Sequence, residues 1–174
     1  MAVEVETSRY IFHPKSTFSY NPLHDLESLW WVGVWFLFCH YQTSNLLDVT
    51  VEEHIKVVKE IGQRLFNNGA GRLSRADALI HSTLLAKESR PTRFPKTVRY
   101  FVLALDVFRA QLIKYYESYK PEEPQDRSFF TPDVHRKCVA LFENALQLLE
   151  NDKTELWPWD HIEKRITYLK SRRK

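Results

Sequence analysis

The segment from Leu26 to Phe38 limits the fold more than any other part of this sequence. Apolar side chains stand at nearly every one of its positions, and three of the five tryptophans of the chain lie in it. A helix that is apolar on all sides is stable in water only when other elements surround it. The sequence therefore predicts a domain packed around one buried, tryptophan-rich helix.

A strong helix start precedes this segment. Asn21 is a favoured N-cap residue, and Pro22 suits the first helical position. Asp25 and Glu27 favour the positive end of the helix dipole. The longest uncharged apolar run, 28–39, is shorter than the roughly 20 residues that a membrane-spanning helix needs. We therefore expect a helix of a soluble protein that begins at Asn21-Pro22.

Further helices are predicted by apolar residues spaced three and four apart. The chain has only four glycines, which argues against a β-rich fold with many tight turns. The predicted starts are the capping box Thr50–Glu53, the cap Ser74, Lys96 (with a helix running to Tyr119), Thr131-Pro132, and the residues after Trp157–Asp160. The predicted fold class is all-α.

The length of 174 residues fits one domain. Residues 1–20 have no regular period, and we expect them to form an irregular arm on the surface. Residues 21–169 hold the predicted helices and form the domain, and residues 170–174 form a basic tail.

Charge and cysteine content narrow the class of protein. The net charge of +3 permits an acidic partner without requiring one. Cys39 and Cys138 lie far apart in apolar stretches, a pattern that suits reduced thiols in the cell interior. The N-terminus lacks the basic-then-apolar order of a signal peptide. We therefore expect a cytoplasmic or nuclear protein that does not bind a membrane.

Two cysteine–histidine pairs are candidates for chemistry. His135 and Cys138 have a metal-ligand spacing, but a zinc site needs about four ligands and the sequence offers no second pair. Cys39 and His40 are adjacent, and adjacent helical residues point in different directions, which does not suit a nucleophile–base pair. We therefore predict no metal, no cofactor and core positions for both cysteines.

His24, Asp25 and Glu27 form the densest polar cluster beside the apolar segment. Paired carboxylates perform acid–base chemistry when they are buried and their pKa values differ. These two carboxylates stand at a helix N-terminus, where negative charge is favourable for local reasons. The sequence therefore favours a structural explanation for the cluster.

Basic residues crowd the end of the chain, at Lys170, Arg172, Arg173 and Lys174. Such a run contacts phosphate groups in some proteins and acts as a nuclear import signal in others. Cations are also favourable at a helix C-terminus, so a solvated tail is the simpler interpretation. An all-helical protein that binds nucleic acid or a nuclear partner is the alternative function.

The string YNPLHDLESLWWVGVWFLF, from Tyr20 to Phe38, resembles a signature of the fungal-type protein kinase family. In that family a similar segment begins the large central helix of the C-lobe, the F helix. Ala2-Val3-Glu4 is similar to the Ala-Pro-Glu motif that ends the kinase activation segment, with valine in place of proline. The resemblance is specific over about the first forty residues and agrees only in helix order afterwards.

The resemblance implies roles for two residues and a partner for one of them. Glu4 matches the motif glutamate, which pairs with an arginine near the last helices and ties the activation segment down. Arg127 is the candidate for that arginine, and another arginine would serve equally. Asp25 matches the aspartate that bonds the backbone of the catalytic loop and anchors the hydrophobic spine.

The catalytic motifs of a kinase are not found in this sequence, which has no His-Arg-Asp, no Asp-Phe-Gly and no G-x-G-x-x-G. The resemblance therefore implies a C-lobe fragment without an ATP site, either a genuine short protein or part of a longer one. Its full-length relatives would transfer phosphate from ATP to Ser or Thr. The fragment itself would be a binding or scaffold module. We expect open apolar surface around its central helix, a protein partner there, and an isolated chain that is marginally stable or oligomeric.

Overall fold

Helices dominate the computed structural model, which describes residues 1–42, 49–66, 71–81, 96–122, 132–151 and 156–158, with residues 164, 167, 168 and 171. The described helices are α1 (Val3–Thr7), α2 (Pro22–Cys39), α3 (Val49–Phe66), α4 (Gly71–His81), α5 (Lys96–Ser118) and α6 (Pro132–Asn151). Two short strands accompany them, β1 (His40–Gln42) and β2 (Leu156–Pro158). The predominance of helix confirms the all-α class. Within the described part, no helix is long and apolar enough to cross a membrane.

Helix α2 lies at the centre of the core, but one of its faces is exposed. Its buried residues are Leu23, Leu26, Trp30, Trp31, Val34, Leu37 and Phe38. Helices α3 and α5 pack against α2, while Leu29, Val32 and Trp35 lie on its exposed face. The expectation of a helix surrounded on all sides is therefore wrong for this face. The open apolar surface expected around the helix is present there.

Gly33 allows α5 and α6 to approach α2 closely. A Cβ atom at this position would lie 2.5 Å from Leu105 Cδ2 and 3.1 Å from Phe142 Cε1. The ring of Phe142 also meets that of Phe108 edge to face, with centroids 5.8 Å apart. The carbonyl of the same Leu105 accepts a hydrogen bond from the indole N–H of Trp30 at 2.8 Å. Side-chain packing against Gly33 and a buried hydrogen bond therefore set the position of α5 on α2.

Arg109 on α5 closes the C-terminal end of α4. Its Nη1 donates to the carbonyls of Leu79 and Ile80, at 3.0 and 3.3 Å, and its Nε donates to Asp106 at 3.1 Å. The last carbonyls of a helix have no partner within the helix, so a cation placed there satisfies them. This bond fixes the end of α4 against α5.

Strands β1 and β2 form an antiparallel ribbon that the sequence did not predict. Tyr41 is the register partner of Trp157, and β1 follows α2 without a break. The sequence predicts a last helix after Trp157–Asp160; Trp157 itself lies in β2, and the predicted start of that helix falls outside the described residues. Aromatic residues favour strands when a cross-strand partner is present. That partner is more than a hundred residues away in the sequence, so no local pattern reveals it.

Most predicted helix limits agree with the structure. Helix α2 starts at Pro22 as its cap signal predicted, and the long helix occupies Lys96–Ser118. Helix α6 starts at Pro132 as expected. Helix α4 is the exception, because it begins at Gly71 and contains the predicted cap Ser74 within its length. A Ser followed three residues later by Asp also occurs on the polar face of a helix, so the pattern alone does not mark a start.

The expected irregular surface arm is wrong for its first residues. Val3–Thr7 form α1, and Ala2, Val3, Glu4 and Tyr10 are buried. Ser8 ends the helix in the left-handed conformation with a φ of 53°. A helix of five residues has no stable nucleus of its own, so its formation depends on bonds from the rest of the fold.

We expect Gly33→Ala and Gly62→Ala to have opposite effects on the free energy of unfolding. Alanine at position 33 would drive a methyl group into Leu105 and Phe142, and overpacking of about 1–3 kcal/mol outweighs the gain in helix propensity of up to about 1 kcal/mol. At Gly62 the nearest atoms, from Phe38, would be 3.4 Å away, so the propensity gain should dominate. Urea unfolding of both variants measures the difference. Equal effects would contradict the close approach at Gly33.

Candidate functional site: a buried polar junction of α1, α2 and α5

Four polar side chains are buried at the N-terminal end of α2. Glu4 comes from α1, Asn21 from the residue before α2, and His24 and Glu27 from α2 itself. Buried polar groups are stable only when hydrogen bonds replace the water they lose. We call this cluster, together with Tyr116 of α5, the polar junction. Its bonds determine what it is able to do.

Glu27 is the central group of the polar junction. Its Oε1 accepts hydrogen bonds from the backbone N–H of Val3 at 2.7 Å and from the indole N–H of Trp31 at 2.8 Å. Its Oε2 bonds the hydroxyl of Tyr116 at 2.7 Å. Val3 is the first residue of α1, and the N–H groups of a first turn have no partner within their helix. Glu27 therefore caps α1 from another helix and joins it to α5.

Burial raises the pKa of the Glu27 carboxyl above its ordinary value of 4.5. The loss of water is the largest cause, and the negative charge of Glu4 acts in the same direction. The bonds from Val3, Tyr116 and Trp31 oppose the rise, because they stabilise the ionised form. Burial also raises the pKa of the Tyr116 phenol, and the nearby carboxylate of Glu27 raises it further.

Glu4 joins α1 to the start of α2. Its Oε2 lies 2.9 Å from Nε2 of His24, and its Oε1 accepts the backbone N–H of Ile11 at 2.6 Å. Among the described residues, no arginine bonds Glu4. Arg127, its predicted partner, lies outside the described residues, so that pairing stays a prediction.

The tautomer of His24 follows from its other ring nitrogen. Nδ1 lies 3.1 Å from the backbone N–H of Asn21, which is always a donor, so Nδ1 must accept. The ring proton is therefore on Nε2 and points to Glu4. The contact between His24 and Glu4 is thus a hydrogen bond from Nε2–H to Oε2 of the Glu4 carboxyl group.

Arg75 holds α1 from the opposite side. It extends from α4, donates to Glu6 at 2.9 Å and to the carbonyl of Met1 at 2.6 Å, and lies over the ring of Trp31, 4.3 Å from its centroid. Partial burial lowers the pKa of its guanidinium, while Glu6 and Glu27 raise it. Helix α1 is therefore clamped between α4 and the polar junction.

An aromatic seam fixes the irregular residues that follow α1. The ring of Tyr10 packs against Phe18 and Tyr119, with centroids 5.3 and 5.6 Å apart, and its hydroxyl bonds Ser19. Phe18 in turn stacks on the imidazole of His24 at 5.4 Å. These contacts cover the polar junction and keep water from it.

Asp25 lies outside the polar junction although it neighbours His24 in the sequence. Its side chain is exposed and accepts a hydrogen bond from the Tyr20 hydroxyl, which raises the pKa of that phenol. The local explanation of charge at a helix N-terminus therefore holds for Asp25. It is wrong for Glu27, whose carboxylate is buried and bonds two other helices.

Among the remaining candidate residues of the sequence, one is described in full and the others lie, wholly or in their side chains, outside the described part. His135 is exposed on α6, and the side chains of Cys39 and Cys138 lie outside the described part. In the part of the chain that the structure describes, no three His, Cys, Asp or Glu side chains are grouped to hold a metal ion. The basic tail residues Lys170, Arg172, Arg173 and Lys174 also lie outside the described residues, so their binding of nucleic acid stays a prediction.

The polar junction holds α1, α2 and α5 together. Both carboxylates are buried, and each described bond of Glu27 and Glu4 goes to the protein itself. The local pattern of the sequence gives no sign that Tyr116 of the long helix bonds Glu27. A buried tyrosine needs a partner for its hydroxyl, and that requirement was the signal available.

Comparisons with known proteins add no relative. No protein-family model, no curated protein and no solved structure matches this chain.

We expect Glu27→Ala to lower the free energy of unfolding by about 3 kcal/mol or more. The change leaves the Val3 N–H, the Trp31 indole and the Tyr116 hydroxyl without their buried acceptor, at about 1–3 kcal/mol for each group. Asp25→Ala is the matched control, since its exposed carboxylate contributes at most about 1 kcal/mol through the helix dipole. Urea unfolding of both variants measures the difference. Similar losses would show that Glu27 has no special position.

We expect nitrogen NMR of the imidazole rings to find His24 as the Nε2–H tautomer at neutral pH. The bond from Asn21 N–H to Nδ1 requires it. The exposed ring of His135 serves as the comparison. A protonated or Nδ1–H ring at position 24 would contradict this assignment.

Proposed function

We propose that this chain is the helical C-lobe portion of a fungal-type kinase-like protein and acts as a non-catalytic binding module. One observation carries the proposal. The two segments that hold the resemblance, Ala2-Val3-Glu4 and His24–Glu27, are in direct contact through the Glu27–Val3 and Glu4–His24 bonds. The resemblance implies that these segments end the activation segment and begin the F helix. Their contact supports reading them as parts of one unit.

The position of α2 supports the same proposal. The resemblance implies that this helix is the central one of its lobe, and α2 contributes much of the buried core. Its first turns also anchor α1 by way of His24 and Glu27. The sequence lacks the kinase catalytic motifs, and the buried carboxylates are sealed from solvent. A role in binding therefore fits better than a role in catalysis.

The proposed binding surface is the exposed face of α2. Val32 is 61% exposed and Leu29 is 48% exposed, although both belong to the most apolar helix of the chain. Asp25 is exposed one turn before Leu29 and marks the N-terminal end of this face. In the family that the sequence resembles, the catalytic loop covers the corresponding region. The partner we propose is therefore the part of a fungal-type kinase that precedes the activation segment, supplied by the same or another polypeptide.

We expect Val32→Glu to weaken binding of that kinase segment by tenfold or more. A carboxylate on the apolar face would lose water without gaining a partner when the surface is covered. Val107→Glu is the matched control, because Val107 is 56% exposed on α5 and lies outside the proposed surface. Calorimetric titration with a segment running from the glycine-rich loop to the Asp-Phe-Gly motif of a fungal-type kinase measures both affinities.

Three outcomes would count against the proposal. Absence of binding by the unmodified chain would overturn the proposed partner, and equal effects of the two substitutions would overturn the proposed surface. Tight binding of Mg-ATP by the chain alone would overturn its non-catalytic character, because the sequence holds no known element for that ligand.

A further inference from the structure

The polar junction places the carboxyl groups of two glutamates in one buried site. Glu4 and Glu27 are both buried, and Glu4 raises the pKa of Glu27. His24 stands next to Glu4, and its Nδ1 accepts from the backbone N–H of Asn21. Arg75 approaches from α4, where its closest carboxylate is Glu6. The site is therefore electrostatically easier to form when one carboxylate carries a proton.

The geometry around Glu27 accommodates that proton without moving any group. In the ionised state, the carboxylate accepts from Val3, Trp31 and Tyr116. In the protonated state, Oε1 still accepts from Val3 and Trp31, and the proton on Oε2 is donated to the hydroxyl oxygen of Tyr116. A phenol hydroxyl rotates and is both donor and acceptor, so the 2.7 Å bond serves either direction.

Burial distinguishes the two states. Both states keep three hydrogen bonds, but only the ionised state places an extra charge in a site that is buried from bulk water. When α1 leaves α2, the Val3 N–H is withdrawn and water reaches the carboxylate. The charged state is then stabilised by water, as in any exposed glutamate. Ionisation of Glu27 therefore favours the undocked helix, and protonation favours the docked one.

We propose that α1 is a proton-linked latch, docked most tightly when Glu27 carries a proton shared with Tyr116 and released progressively as Glu27 ionises. The latch couples the N-terminal segment to α2, α4 and α5, so its release opens the aromatic seam that covers His24. This device is separate from the binding role proposed above, because the exposed face of α2 plays no part in it.

Some of the groups that face Glu27 favour its protonated form, and others favour its ionised form. Glu4 from α1 favours the protonated form, whereas Arg75 from α4 favours the ionised form and is itself paired with Glu6. Within α2, His24 contacts Glu4, and from α5 Tyr116 serves as donor or acceptor. Tyr20, before α2, is exposed and paired with Asp25. The loss of water outweighs the bonds, so the docked carboxyl has the higher pKa.

The direction of the pH effect follows from that higher pKa. Stability from the protonated carboxyl is fully present below the ordinary value of 4.5 and is lost as the pH rises through the docked value. Between these two values, the open fraction of the latch should grow by up to about tenfold per pH unit, and above the docked value it should level off.

Hydrogen exchange of the full chain between pH 4.5 and 8 tests the latch. After correction for intrinsic exchange rates, protection of the Val3, Glu6 and Ile11 amides should fall with rising pH in the unmodified chain. In Glu27→Gln, the uncharged side chain keeps the shape of the site, so protection of these amides should not depend on the charge at position 27. Amides in the middle of α5 are the internal control. Parallel pH curves for the two proteins would overturn the proposal.

A second measurement keeps the proposal testable if Glu27→Gln does not fold. The indole N–H of Trp31 donates to Oε1 of Glu27, so its proton resonance should titrate in the unmodified chain together with the loss of amide protection. Tyr116→Phe removes the hydroxyl that receives the proton and should shift this titration. A Trp31 resonance that is constant over the same range, while protection changes, would show that another group drives the opening.

Discussion

The carboxylate of Glu27 is the interaction on which the arrangement of this fold depends. It bonds the first N–H of α1, an indole of its own helix and a hydroxyl of α5, so one buried side chain joins three helices. Helix α1 has five residues and too few internal hydrogen bonds to persist alone. The helix forms because Glu27 caps it and because Arg75 donates hydrogen bonds to Glu6 and Met1 on its other side.

The described contacts of this site are structural ones. Glu4 and Glu27 are buried behind a seam of aromatic rings, and their described bonds go to other groups of the protein. The site is sensitive to the charge on Glu27, because that carboxyl is buried and the nearby Glu4 raises its pKa. The surface available for a partner is elsewhere, on the exposed face of α2, so binding and latch are physically separate features of one helix.

The long helices with regular apolar spacing could be predicted from the sequence. The short helix α1 and the two strands that pair across a long stretch of sequence could not. The hub α2, the long α5 and α6 follow from cap signals and apolar spacing, because each buries a continuous stripe. The ribbon of β1 and β2 depends on pairing Tyr41 with Trp157, and nothing near either residue records that pairing. For the polar junction, the cluster of His24 to Glu27 was noticed. The sequence did not reveal that this cluster is buried, because Tyr116 and Val3, which bond it, come from segments that lie far from it in sequence or lack a regular pattern.

By itself the sequence determined the helical class, the central helix and the resemblance that suggests a kinase lobe. These properties depend on residue type and local spacing, and both can be read directly from the sequence. Only the tertiary structure decided which carboxylate is buried, which tautomer His24 adopts and which face of α2 is exposed. Asp25 and Glu27 are two residues apart on the same helix turn, and both carboxylates are favoured near a helix N-terminus. Their positions around the helix axis relative to α1 and α5 place one in water and the other in the core.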